Sequence, residues 1–153
     1  MTKFEDINKA LKGKAITKVT GYEENSETLR FHIAGDWVYT QGHVQDCCES
    51  VAIAQVDGDI SKHIGALILN IEEKVVDISD TEGVSDSGTA TFYTMTTTKG
   101  RLDWRWTGES NGYYSEWVDH EYIAHPMKKL LTKKVSLERQ LEDVKRSIGE
   151  WDE

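Results

Sequence analysis

The sequence predicts an α+β domain: a mainly antiparallel sheet of five to seven strands, a short N-terminal helix and a long C-terminal amphipathic helix. Three observations carry this reading. The middle of the chain alternates apolar and polar residues with a period of two. Gly-containing turns separate those segments. Both ends carry apolar residues at a spacing of three to four.

At the N-terminus, Phe4, Ile7, Ala10 and Leu11 form one helical face, which Gly13 ends. Ala15–Thr20 is rich in β-branched residues and reads as a strand. Leu29, Phe31 and Ile33 alternate with Arg30 and His32, a half-buried strand that Gly35-Asp36 reverses into Trp37–Thr40. Val51, Ile53 and Val56 form an apolar run of undecided type. Ile60–Ile64 reads as one helical turn closed by Gly65, and Ala66–Ile78 alternates in its second half. Thr89–Thr98 and Arg101–Thr107 make the clearest hairpin, with Lys99-Gly100 at its turn. Leu102, Trp104 and Trp106 share one face of it. Gly108–Gly112 reads as a loop and Tyr113–Ile123 as the last strand.

His125-Pro126 marks a boundary, because the residue before proline avoids the helical region. The division is therefore residues 1–125 as the α+β domain and 126–153 as the helix. Leu137, Leu141, Val144, Ile148 and Trp151 form a narrow apolar stripe on that helix. The stripe fits packing against the domain's own sheet, and it equally fits binding a partner or a second copy in a homodimer.

The chain has 153 residues, the length of one ordinary domain. Five Trp and six Tyr argue against disorder, since disordered chains are poor in aromatics. Trp37, Trp104, Trp106 and Trp117 read as core, and His32 and His63 as surface or edge residues. The net charge is −9; residues 127–153 carry +1, so residues 1–126 carry −10. Such a body disfavours direct nucleic-acid binding, where Lys and Arg contacts to phosphate supply most of the affinity. It suits a basic protein surface instead. No run approaches the ~20 apolar residues of a membrane span. Glu5-Asp6 stands where a secretion signal would be apolar, so a cytoplasmic protein without membrane contact is expected.

Two segments are dense in hydrogen-bonding side chains: His43-Val-Gln-Asp-Cys-Cys-Glu-Ser50 and Gly108-Glu-Ser-Asn-Gly-Tyr-Tyr-Ser-Glu116. Together with Gly58-Asp59-Ile60, Ile64-Gly65, Glu72-Glu73, Lys99-Gly100 and Arg105-Trp106, they resemble a family of small uncharacterised bacteriophage and prophage proteins, a domain of unknown function. The resemblance covers roughly residues 35–119. It implies a phage-encoded protein in the cytoplasm of a bacterial host and supplies no activity.

Four readings of the two segments compete. Cys47 or Cys48 with His43 and Asp46 or Glu109 has the residue types of a thiolate nucleophile. Glu109 and Glu116 have those of a general acid and base. A metal site is disfavoured, because neighbouring cysteines on a strand point to opposite faces and no second pair exists. The fourth reading is a buried polar network in which Asp46, Ser110, Asn111 and Tyr113 fix loop shape. A disulfide between Cys47 and Cys48 would be strained and is not expected in a reducing cytosol. No cofactor is expected. The expected function is protein binding, to a host or phage protein, with inhibition of a host defence or nucleic-acid enzyme as the phage setting suggests. A small Cys/His/carboxylate enzyme and an assembly protein dimerising through its C-terminal helix are the alternatives.

Overall fold

The computed structural model describes residues 3–44, 48–81, 84, 86–112 and 114–124. The chain opens with helix α1 (Phe4–Leu11), whose Ile7 and Leu11 are fully buried. Eight strands follow: β1 (Ile16–Thr20), β2 (Thr28–Ile33), β3 (Trp37–Gly42), β4 (Ser50–Asp57), β5 (Ile68–Asp77), β6 (Ser87–Thr97), β7 (Gly100–Ser110) and β8 (Asp119–Ala124). A short 3-10 helix, Ile60–His63, lies between β4 and β5.

These strands form two sheets of four, ordered β1-β2-β3-β8 and β4-β7-β6-β5. The expectation of one sheet of five to seven strands between two helices is therefore corrected. β2, β6 and β7 alternate buried and more exposed residues, and the apolar faces they form bury each other between the two sheets. Phe31 of β2 meets Trp104 of β7 at 5.5 Å between ring centroids, and Tyr93 of β6 stacks on Trp104 at 5.6 Å. Leu102, Trp104 and Trp106 are buried as their alternation predicts. Among the described residues the one α-helix is the short N-terminal one, and there is no long C-terminal helix. Residues 126–153, including Leu137, Leu141, Val144, Ile148 and Trp151, lie outside the described residues.

Local chemistry explains the turns. The β2–β3 hairpin closes on Gly35 (φ 91°) and Asp36 (φ 65°), two left-handed residues in succession. That backbone suits a tight hairpin, and Asp is among the residues that tolerate it. The segment of undecided type is strand β4, paired with β7. β7 runs on through Gly108 to Ser110, beyond the expected end of its strand, and β8 begins at Asp119, well after Tyr113. Three further placements differ from expectation. Trp37 and Trp117 are 38% and 56% exposed, outside the core, whereas His63 is buried with Nδ1 2.7 Å from Thr97 Oγ1.

Chain segments cover some sheet edges. Gly65 N donates to Ile16 O at 2.7 Å, joining β1 to the lead-in of β5. Ile53 N donates to Ser26 O at 2.8 Å, tying the free side of β4 to the turn before β2. No described helix is long and apolar enough to cross a membrane.

Candidate functional site

The topology brings the two polar segments to one end of the molecule. The first leaves β3 and enters β4; the second leaves β7 and enters β8. β3 neighbours β8, and β4 pairs with β7 with Ser50 opposite Glu109. Segments some sixty residues apart in sequence thus start and finish on paired strands.

His43 is the link between them. Its side chain is 4% exposed, and Nδ1 lies 2.8 Å from the Trp117 carbonyl oxygen. A carbonyl only accepts, so Nδ1 carries a proton. Nε2 lies 2.9 Å from Oε2 of Glu49, whose side chain is fully buried. An ionised carboxylate also only accepts, so a second proton sits between His43 and Glu49. Burial disfavours charge on His43, but the Glu49 hydrogen bond, the Trp117 carbonyl and the Asp119 and Glu49 charges outweigh it and hold its pKa above the usual 6.5. The raised pKa favours residence of that proton on the imidazole. Beside it, Val44 N donates to Asp119 Oδ2 at 3.3 Å.

Glu116 closes the second segment on itself. Its Oε1 accepts from Thr89 Oγ1 at 2.8 Å and its Oε2 from Ser110 Oγ at 2.5 Å. Ser110 Oγ in turn accepts from Gly112 N at 3.0 Å. A methyl group on Gly108 would sit 2.5 Å from the Glu116 carbonyl oxygen, so the loop folds back against a glycine. Strand alternation sends Glu109 to the face opposite Ser110, away from the Glu116 carboxylate. Asn111 is exposed. Asp46, Cys47 and Tyr113 lie outside the described residues.

Cys48 is disulfide-bonded. A sulfur already in a disulfide has no thiolate to offer as a nucleophile. Among the described residues, no three His, Cys, Asp or Glu side chains are arranged to hold a metal ion.

Next to this clasp, a depression of about 590 Å³ is lined by Thr28, Arg30, Thr40, His43, Ser115, Asp119 and Glu121. Val44, which also lines it, is 76% exposed; Trp117, whose backbone His43 holds, is 56% exposed.

A second polar constellation lies between the sheets and was not legible as a site. The Gln41 side chain meets the indole nitrogens of Trp104 and Trp106, each at 2.8 Å. Indole N–H only donates, so the Gln41 atom is the oxygen. Its amide nitrogen then donates to Tyr39 Oη at 2.8 Å, and Tyr39 lies 2.8 Å from His120 Nδ1. With Tyr39 donating to Nδ1, the ring proton is on Nε2, 3.2 Å from Glu73 Oε2. Tyr93 donates to the same oxygen at 2.6 Å. The His120 hydrogen bond, joined by Tyr93 and opposed by burial, holds Glu73 below the usual carboxylate range. Burial pushes the Tyr39 and Tyr93 hydroxyls far up, so both stay protonated. The one signal in the sequence is a Gln two residues after a Tyr on a strand, which puts both on one face.

Fold and site together define a two-sheet antiparallel β domain whose conspicuous polar motifs brace each other and frame an open depression. Residues 9–120 match the family described as a domain of unknown function (DUF7448), and the chain belongs to that family. No curated protein and no solved structure matches it.

Proposed function

We propose that the chain is a non-enzymatic protein-binding domain, and that it binds through the depression lined by Val44 together with the exposed Trp117 near it in sequence. One observation carries this reading. Among the described residues, His43, Glu49, Ser110 and Glu116 are committed to internal hydrogen bonds, while two apolar side chains, Val44 and Trp117, are held out to solvent close by in sequence. Internal bonds of this kind fix shape and leave little reactivity, whereas an exposed Trp on a rigid support is the usual anchor of an interface. The charge of −10 on residues 1–126 favours a partner with a basic surface.

The bacteriophage resemblance supports a setting in the cytoplasm of an infected bacterium, with a host enzyme that handles nucleic acid as the partner. Such enzymes present the basic surfaces that this acidic domain complements. Inhibition by occupying that surface is the mechanism the reading implies.

The test is paired affinity capture from bacterial lysate with the wild-type chain and with Trp117→Ala. One protein retained stoichiometrically by the wild type and lost with the variant is the expected result. Retention of the same proteins by both, or of none, overturns the reading. The competing enzyme reading needs a thiolate at Cys47 or Cys48. Alkylation by iodoacetamide at pH 6–7 without prior reduction would favour that alternative.

A further inference from the structure

The exposed side of β5 offers a second surface with definite pattern requirements. Among the described residues β5 is the last strand of its sheet: it pairs with β6, and on its other side only Ile68 bonds to the backbone of Gly13 and Lys14. Ile78 N donates to Gly88 O at 2.9 Å, so the even-numbered residues of this antiparallel pair face β6. The odd-numbered residues turn their N–H and C=O groups to the open side. Ile71 confirms the parity, because its N–H points outward and donates to Asn8 Oδ1 of α1 at 3.0 Å. Helix α1 thus covers the beginning of the edge. Beyond it, the backbone groups of Glu73, Val75 and Asp77 take no partner among the described residues.

Side chains at these three positions share one face of the strand. They read acidic, apolar, acidic, and Val75 is 41% exposed. Glu73 Oε2 is committed to Tyr93 and His120, whereas Oε1 accepts no hydrogen bond among the described residues.

We infer that residues 73–77 receive an extended strand from a partner, one with Lys or Arg at two alternate positions flanking an aliphatic residue. Main-chain hydrogen bonds to Glu73, Val75 and Asp77 supply the pairing, and the cross-strand charges select the sequence. A second copy of this chain is a poor occupant. The two antiparallel self-registers of longest overlap place Glu73 opposite Asp77, or Lys74 opposite Lys74. Charge on the edge therefore opposes self-pairing and favours a basic strand. His120, which holds Glu73 Oε2, also lines the depression beside Val44, so the two surfaces are neighbours with different contact residues.

The experiment is fluorescence anisotropy of labelled Thr-Lys-Thr-Val-Thr-Lys-Thr titrated with the full chain, against Thr-Glu-Thr-Val-Thr-Glu-Thr. The basic peptide binds at least tenfold more tightly than the acidic one. Val75→Pro removes an outward N–H that the sheet does not use, so it weakens binding at least tenfold while the far-ultraviolet circular dichroism stays unchanged. Asp77→Lys gives a readout independent of the proline, reversing the preference between the peptides. Trp117→Ala leaves both affinities unchanged, which separates this surface from the one proposed above. Equal binding of the two peptides, or full binding to a folded Val75→Pro chain, overturns the inference. So does a wild-type dimer that Val75→Pro dissociates, because the occupant is then a second copy.

Discussion

His43 Nε2 and Glu49 Oε2 lie 2.9 Å apart with both side chains out of solvent, and the proton between them is a pH-dependent part of the fold. The His43 pKa is raised in the folded chain, so the folded state binds that proton more tightly than the unfolded state. Its contribution is fully present below pH 6.5, the ordinary histidine value, and is lost as pH rises through the higher folded value. His63 is shifted down, mainly by burial, and loses stability in the opposite direction, below that pH. Urea unfolding from pH 6.5 to 9 is therefore expected to show falling stability, and His43→Gln to flatten the slope.

Gly108→Ala is expected to destabilise the fold. The added methyl meets the Glu116 backbone at 2.5 Å, and a backbone atom in a closed loop has little room to yield. Overpacking of this kind costs ~2 kcal/mol. Thermal or urea unfolding measures it, with a control at Gly112, where an added Cβ meets no atom but the backbone is left-handed (φ 94°). A loss at Gly108 no larger than at Gly112 would show that the close approach is not the constraint.

Gln41→Leu should cost more than its volume change suggests. The substitution leaves the indole N–H groups of Trp104 and Trp106 without their common acceptor in a buried position. Each orphaned donor costs ~1–3 kcal/mol, so a loss on the order of 3 kcal/mol is expected in chemical denaturation. A loss below ~1 kcal/mol would mean that the core rearranges to find other acceptors.

The neutral His120 ring is expected in the Nε2–H tautomer, because the Gln41 orientation passes through Tyr39 to Nδ1. Nitrogen-15 chemical shifts of the ring report this directly. An Nδ1–H signal would show that Tyr39 accepts two hydrogen bonds and that its proton points elsewhere.

Trp117→Ala is expected to change unfolding stability by no more than ~0.5 kcal/mol, since substitutions at exposed positions rarely cost more. The same variant loses partner capture under the proposed function. A large stability loss would instead make Trp117 a structural residue.

Alternation made the strands legible, and for the same reason the burial of Leu102, Trp104 and Trp106. It did not reveal the division into two sheets. Period-two patterning says which side of a strand is buried and is silent on which strand lies beside it. β8 returning to β3 across the whole second sheet has no local signature. The polar motifs were visible, yet the role of His43 was not, because its partners include a backbone carbonyl seventy-four residues away. Trp117 was misplaced in the core, since hydrophobicity alone does not distinguish a buried indole from a displayed one. The expected C-terminal helix does not enter the described fold, which rests on two sheets and one short helix.

The return of β8 to β3 also dictates an order of events. Tyr39 and His120 are eighty-one residues apart, with all of β4 to β7 between them. The first sheet therefore lacks its fourth strand until nearly all of the described domain has left the ribosome. Contacts of such long range close late and slowly. His43, waiting for the Trp117 carbonyl, is among the groups satisfied last. The frame that holds out Val44 and Trp117 is completed at the end of folding, so a chain stalled before β8 leaves it open.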